Sequence, residues 1–310
     1  MTKGNRDMLK ILYIGKSHKQ NKPGDWDLLL TMMSGLLLAV IVGLVLLAPL
    51  LDSLMVGEAF KIDLFNRHTD PSLTHPLGTD ELGRDLLLRL LYAGRISLLV
   101  GILSALFTAL IGVIIGLCAG YYGGWVDAVL MRFTDSVIAL PLLPLLIVLA
   151  ATDLTKLGLP QTIGASPEAA IYQIILIISL VGWTTVARLT RASVLSLREQ
   201  EFVLAAKSHG ASTLRVMFGH ILPNSVSPIL VATTLTMGNV ILLESILSFL
   251  GLGIQPPIPT WGNMLTNAQD VIYETPMAAV WPGLLIFLTV ISVNFLGDSL
   301  QSIFNPKNMN

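Results

Sequence analysis

Long apolar stretches alternate with short polar segments along this chain. Six of the stretches contain no Asp, Glu, Lys or Arg and run for 17 to 27 residues. A helix needs roughly 20 mostly apolar residues to cross a bilayer. The pattern therefore predicts an all-α polytopic membrane protein with six transmembrane helices, at 28–51, 96–122, 136–152, 169–187, 225–243 and 277–296.

The composition agrees with a membrane protein. Of the 310 residues, 53% are hydrophobic and 13% are charged, whereas a soluble domain carries about a quarter charged residues. A large soluble protein is thereby excluded. The net charge of −1 offers no general basic patch, which excludes nucleic acid as a partner. The lone cysteine, Cys118, cannot form an intrachain disulfide.

The polar segments indicate the orientation of the chain. Cytoplasmic loops carry an excess of Lys and Arg, and the segments on the same side as the N-terminus hold more of these residues than the opposite segments. We therefore expect an inner-membrane protein with a cytoplasmic N-terminus. The predicted divisions are an N-terminal tail (1–27), a first transmembrane helix (28–51), an external segment (52–95), a core of five further spans (96–305) with a cytoplasmic loop (188–224), and a short tail (306–310).

Residues 201–224 form a polar insert between the fourth and fifth spans. Apolar residues recur at helical spacing in 201–209 and again in 213–221, which predicts two short amphipathic helices. Gly210 lies where a C′ residue would end the first of them. The insert is thus expected to be a helix–Gly–helix element on the inner membrane surface.

The ends of the second short helix also follow from residue types. Ser212 is suited to cap its N-terminus, and Pro223 is expected to stop it before the fifth span. Helices of two or three turns are marginal in water, so their apolar faces need support. One face can rest on the subunit's own helices. The residues alone leave open whether the other enters a groove on a second protein or lies on lipid.

Glu244 ends the fifth apolar stretch. Gly251, Gly253 and several prolines follow it and are expected to break the helix. A broken helix is tolerated at membrane depth where it is buried in protein or lines a water-filled cavity. Two alternatives stay open. Either Glu244, with Ser248, faces a translocation path or its gate, or Glu244 pairs locally within the bundle.

Small residues recur every four positions in the second span, including Gly112, Gly116 and Gly120. They share one helix face and are expected to let another helix pack closely. The third span extends N-terminally to about Ala128 if Arg132 and Asp135, three residues apart, are included. They are expected to pair with each other, because an unpaired charge is costly within the membrane.

No motif for nucleotide binding, metal binding or catalysis is complete in this sequence. Gly15-Lys16-Ser17 resembles the end of a phosphate-binding loop, but the glycine that this motif needs at position 10 is Lys10. The histidine and carboxylates of residues 75–85 fit no zinc spacing. We therefore predict no catalytic, cofactor or metal site on this chain.

Several motifs occur in order over residues 75–305. They are HPLGTDELGRD at 75–85, GWTTVAR at 182–188, the insert itself, LSFLGLGIQPP at 247–257 and TWG at 260–262. On these motifs the chain resembles the C-type permease of the dipeptide, oligopeptide and nickel ABC importer family. Leu204 stands where the family pattern usually has Glu, whereas Ala205, Ala206 and Gly210 match it.

The resemblance implies that the insert is the loop by which a membrane subunit grips its ATPase. The coupling residues would be Glu201, Ala205, Ala206, Gly210, Ala211, Ser212, Arg215, His220 and Pro223. The implied partners are a second, B-type permease, two ATPase subunits that bind ATP and Mg²⁺, and an external substrate-binding protein. This chain would itself be a transport subunit rather than an enzyme, and would bind no cofactor.

The resemblance also implies a peptide substrate, with nickel chelates and glutathione-like molecules as alternatives within the family. Outside the family, the competing interpretation is an ion-coupled secondary transporter that would use Glu244 or the Arg132–Asp135 pair. An inverted repeat between the two halves of the chain would favour that interpretation, and none is evident.

Overall fold

A computed structural model of the chain describes residues 25–55, 59–152 and 167–303. The predicted tail at 306–310 and nearly all of the tail at 1–27 lie outside these ranges. In chain order the helices are α1 (Asp25–Leu46), α2 (Ala48–Leu54), α3 (Leu86–Tyr122), α4 (Gly124–Ala139), α5 (Leu142–Ala150), α6 (Pro167–Gly182), α7 (Thr184–Leu197), α8 (Glu201–Ser208), α9 (Leu222–Asn224), α10 (Val226–Phe249), α11 (Trp261–Asp270) and α12 (Met277–Ile303).

The prediction of an all-α membrane protein is confirmed. Within the described ranges, α1, α3, α10 and α12 are each long and apolar enough to cross a membrane. Two bent pairs, α4 with α5 and α6 with α7, also qualify if each pair counts as one span, which gives up to six spans.

Helix α3 is the axis of the fold. It contains 37 residues, so at 1.5 Å per residue it is about 55 Å long. Its first turn is capped by Asp85, whose Oδ1 accepts a hydrogen bond of 2.8 Å from the backbone N–H of Leu88. The helix starts ten residues before the predicted span at 96–122, because the charge of Arg89 is buried against Asp80 instead of ending the helix. We call the Leu86 end of the bundle its outer end and the opposite end its inner end.

The predicted external segment folds around buried ion pairs at the outer end. Asp80 Oδ2 lies 2.7 Å from Arg84 Nε and 3.2 Å from Arg89 Nε, and all three side chains are at least nine-tenths buried. His75 Nδ1 lies 3.1 Å from Asp85 Oδ2. Within the described part of the chain, no group of three His, Cys, Asp or Glu residues is arranged to hold a metal ion. The charged side chains of the 75–85 motif thus pair with one another and with Arg89 at this end.

The glycine face of α3 packs against α7. A Cβ on Gly112 would lie 2.7 Å from Val186 Cβ, and a Cβ on Gly120 would lie 2.7 Å from Val194 Cβ. Side chains at these glycines would collide with α7, so the two helices could not keep this separation with larger residues.

Two of the predicted spans are not single helices. The third bends by 83° between α4 and α5, where Leu140 has the extended backbone that is favoured before a proline. The fourth bends by 42° at Trp183 and then continues as α7 to Leu197. Residues 188–197, which we assigned to the cytoplasmic loop, are thus part of a helix packed along α3. The polar residues of α7 end the apolar run but not the helix.

Candidate functional site

The first short helix of the insert ends at Gly210, as its position suggests. Helix α8 stops at Ser208, and Gly210 has a φ of +77°. The N–H of Gly210 donates to the carbonyl of Lys207 at 3.0 Å, and the N–H of Ala211 donates to that of Ala206 at 3.1 Å. This pair of bonds is the Schellman arrangement. The left-handed backbone is open to glycine without strain.

The second short helix differs from the prediction at both ends. Ser212 is exposed and makes no side-chain cap, and only its carbonyl accepts the N–H of Val216, at 2.9 Å. Residues Arg215–Ile221 form a π-helix, in which the N–H of Leu222 bonds back to the carbonyl of Met217. This wider turn accommodates the ring of Pro223, which would clash with a carbonyl in a regular α-helix. Pro223 therefore lies within the continuation α9 and does not stop the helix.

The insert is anchored to the inner end of α3. Val203, Val216, Met217 and Ile221 form a buried cluster with Leu117 and Val194. Two polar contacts hold its edges. Arg198 Nη1 donates to the carbonyl of Gly120 at 2.9 Å, and Lys207 Nζ lies 5.1 Å from the centre of the Tyr121 ring. The insert is thus fixed to the long central helix and not merely tethered by its ends.

The opposite face of the insert is exposed and apolar. The exposed fractions are 42% for Phe202, 50% for Leu204, 66% for Leu214 and 53% for Phe218. The apolar stripe of the first short helix, which includes Ala205 and His209, lies mostly on this exposed face, while the buried anchor is Val203. Of the other predicted coupling residues, Glu201, Arg215 and Pro223 are exposed, and Ala206, Ala211 and His220 are half-buried.

Glu244 and Ser248 lie in the packed interior, not on an open surface. Glu244 is fully buried and Ser248 is 1% exposed. Ser248 Oγ donates to Glu244 Oε1 at 2.7 Å, and Ser97 Oγ of α3 donates to Glu244 Oε2 at 3.3 Å. Ser97 Oγ in turn accepts the N–H of Trp261 at 3.2 Å, which ties α11 to the same carboxylate. This is the local pairing that we weighed against a place on the path.

A cavity of about 660 Å³ opens between α4, α5, α6, α7 and α10. Its wall is mostly apolar, but Asn239 stands exposed near the middle of α10. A polar group at the centre of a spanning helix is expensive next to lipid and normally faces protein or water. The polar residues of the wall are Thr184, Thr185, Arg188, Thr236 and Asn239.

Two ion pairs connect α4 to α7 beside this cavity. Asp135 Oδ1 accepts a hydrogen bond from Arg188 Nη2 at 2.5 Å, so its partner is on another helix and the expected pair with Arg132 is wrong. Nearer the inner end, Asp127 accepts from both Nε and Nη2 of Arg191. The Asp135–Arg188 pair is more than half exposed, whereas the Asp127–Arg191 pair is mostly covered.

Sequence reasoning did not single out the polar wall of the cavity. The sequence did mark Asn239, because it is the only Asn or Gln in the fifth apolar stretch, 225–243. Thr185 and Arg188 belong to the 182–188 motif, but the motif does not say which face of the helix they occupy.

Comparison with known proteins adds to this geometry. Residues 112–310 match the family described as binding-protein-dependent transport system inner membrane component. The chain is 38% identical to a dipeptide transport system permease protein of Alkalihalophilus pseudofirmus, over 84% of this chain and 80% of that protein. It is 34% identical to an oligopeptide transport system permease protein of Bacillus subtilis, over 90% and 86%. It is 38% identical to a glutathione transport system permease protein of Pectobacterium atrosepticum, over 88% and 86%.

A solved structure shares the fold. The chain is similar to a chain of the inward-facing MetNI methionine ABC transporter, with a TM-score of 0.55 over 71% of this chain and 96% of that chain. The identity is 18%, so this likeness concerns the architecture alone.

Proposed function

Because the chain belongs to the family of binding-protein-dependent transport system inner membrane components, we propose that it forms one half of a translocation path for peptides. It is a multi-pass inner-membrane permease of an ABC importer, a transport subunit and not an enzyme.

The cavity beside Asn239 is the observation that carries the proposal. It is bordered by a helix bent at membrane depth and by an amide that no described residue satisfies with a hydrogen bond. Such irregular backbone and polar groups are tolerated where they line a water-filled passage. In the importer, a second permease would close the open side of this cavity.

The exposed face of the insert is the proposed contact with the ATPase subunits. Its apolar side chains remain 42% to 66% exposed in the described part of the chain, while the opposite face is anchored to α3. An amphipathic helix with such a free face suits a groove on a partner. ATP and Mg²⁺ would bind to those partner subunits, whose closure would move the insert and with it α3. We propose that the insert, and with it the N-terminus, lies on the cytoplasmic side.

Glu244 and Ser248 have a different proposed role. Their hydrogen bonds join α3, α10 and the N-terminus of α11 at a point that is closed to water. We propose that they hold the broken segment after α10 in place and do not contact the substrate.

Peptides are the proposed substrate because the relatives are named for dipeptide, oligopeptide and glutathione transport. The decisive first experiment is to tag the chain, extract it in mild detergent and identify co-purifying proteins by mass spectrometry. Recovery of a second permease and ATPase subunits supports the proposal. A solitary or homo-oligomeric chain, with the ATPases expressed but absent, would contradict it and favour an ion-coupled transporter. Uptake of a labelled dipeptide by the reconstituted complex then tests the substrate.

A further inference from the structure

We propose that the Asp135–Arg188 ion pair is the point in the path that binds the two charged ends of a zwitterionic substrate. The carboxylate of the substrate would take Arg188 and its ammonium group would take Asp135. The inference rests on the proposed function, since it requires the cavity beside Asn239 to be the path.

The pair lies within the span, in its inner half. Arg188 precedes Arg198 by ten residues, and Arg198 is bonded to the carbonyl of Gly120 at the inner end of α3. At 1.5 Å per residue, Arg188 is about 15 Å from that end. Asp135 is twelve residues beyond Gly123, the C-cap of α3, which is about 18 Å along α4 by the same measure.

Both charged side chains are exposed within the span, where contact between a charge and lipid is costly. The Arg188 side chain is 51% exposed and the Asp135 side chain is 60% exposed. Charged side chains within a membrane span face water or protein, because contact with lipid is expensive. Arg188 also lines the 660 Å³ cavity directly. Arg188 is therefore presented to the path, and Asp135 is held beside it by the hydrogen bond from Nη2.

The geometry of the ion pair allows each side chain to exchange its partner for a charged group of the substrate. An exposed ion pair contributes little net stability, so a competing carboxylate can replace Asp135 at small cost. Arg188 uses one terminal nitrogen, Nη2, for Asp135. A guanidinium has five N–H donors and favours two-pronged binding of a carboxylate. A zwitterion would satisfy both side chains, whereas a substrate with one charge would leave one of them unpaired in the cavity wall.

A second pair on the same two helices provides the matched control. Asp127 and Arg191 also join α4 to α7, with two hydrogen bonds and side chains that are 18% and 32% exposed. Neither residue lines the cavity. This pair has the contacts expected of a helix-to-helix tie and lacks access to the path.

The test uses the complete complex with its partner permease, ATPases and binding protein in proteoliposomes. Uptake of dialanine is compared with uptake of dialanine amide, which lacks the carboxylate charge. The variants are Arg188→Gln, Arg188→Lys, Asp135→Asn and the control Arg191→Gln. The binding protein is the same in every sample, so its own preference cancels when each variant is divided by wild type for the same probe.

We expect Arg188→Gln to slow dialanine uptake by about tenfold relative to wild type and to slow uptake of the amide by less than about twofold. Arg188→Lys should restore most of this selectivity, because it restores the charge. Asp135→Asn should slow uptake of both dipeptide probes, because both carry the ammonium group. It should leave uptake of a third probe, N-acetylalanine, unchanged relative to wild type, because that molecule lacks the ammonium group. Arg191→Gln should affect all probes by one common factor.

Equal slowing of both dipeptide probes by Arg188→Gln would overturn the inference and leave the pair as a helix contact. Loss of the second permease from the Arg188→Gln complex would also overturn it, because the pair would then hold the permeases together. The path is tested separately by labelling Asn239→Cys, in a Cys118→Ala background, with a water-soluble thiol reagent. If position 239 stays unlabelled, the proposed path is misplaced. If it is labelled but the probes are slowed equally, only the role of the ion pair fails.

Discussion

A Cβ atom on Gly116 would lie 2.4 Å from the carbonyl oxygen of Ala187. The atom in the way is backbone and belongs to α7, so no rotamer change can relieve the contact. The approach of α3 to α7 therefore depends on the absence of a single methyl group.

Gly116→Ala should push α3 and α7 apart and lower the unfolding free energy by roughly 1–3 kcal/mol, as for other overpacked contacts. The measurement is the thermal unfolding midpoint of the purified protein in detergent. Gly43→Ala is the control, because a Cβ on Gly43 of α1 meets nothing within 4 Å. A Gly116→Ala midpoint equal to that of the control would contradict the packing described here.

Gly210→Ala, and more strongly Gly210→Val, should weaken binding of the ATPase subunits while membrane insertion persists. A Cβ there meets nothing within 4 Å, so the effect comes from the φ of +77° alone, which costs an L-residue roughly 1–2 kcal/mol. Gly219→Ala is the matched control within the same insert, since Gly219 has no positive φ. ATPase recovery in pull-down assays would be equal for the two alanine variants if the turn were unimportant.

Asp80→Asn should destabilise the outer end severely. It removes the charge that serves the buried guanidinium groups of Arg84 and Arg89, and breaking a buried ion pair typically costs 3–5 kcal/mol. The yield of folded protein after detergent extraction should fall sharply. Asp63→Asn, at a half-buried site in the same segment, is the control. Hydrogen bonds from the Asn66 side chain and the Phe65 N–H lower the pKa of the Asp63 carboxyl, but this carboxyl is not part of the buried ion cluster around Asp80. Similar yields for both variants would contradict the cluster's role.

Glu244→Ala should lower thermal stability, because it leaves the hydroxyls of Ser97 and Ser248 without their buried acceptor. The expected cost is roughly 1–3 kcal/mol. Glu244→Gln keeps an acceptor oxygen, so its unfolding midpoint and its dipeptide uptake should stay close to those of wild type. A Glu244→Gln complex that assembles normally but no longer transports would instead put this residue on the path.

Periodicity identified the helical segments of the insert but not the direction in which each face points. It groups residues by face, and it cannot say whether a face meets the subunit itself or a partner. The sequence therefore left the partner of the stripe that includes Ala205 and His209 open, and the structure exposes most of it and buries Val203. Gly210 was predictable because its role depends only on local backbone geometry.

Contacts between helices were the least accessible from sequence. The rule that pairs Arg132 with Asp135 considers neighbours on one helix only, while the actual partner of Asp135 comes from α7, 53 residues away. Likewise, the lengthening of α3 beyond its apolar run depends on Asp80 covering the charge of Arg89. Both outcomes require tertiary structure, because only the fold decides which distant charge arrives.

The length of α3 has a mechanical consequence. At about 55 Å it exceeds a bilayer with its headgroups, about 40–45 Å, so both ends of an upright helix would reach the aqueous phases. One end carries the Asp80 ion cluster and the other carries the insert. A straight rod of this length that pivots at its centre by about 10° moves each end by about 5 Å, in opposite directions. The helix can therefore act as a lever, by which a displacement at the insert becomes an equal and opposite displacement at the outer surface.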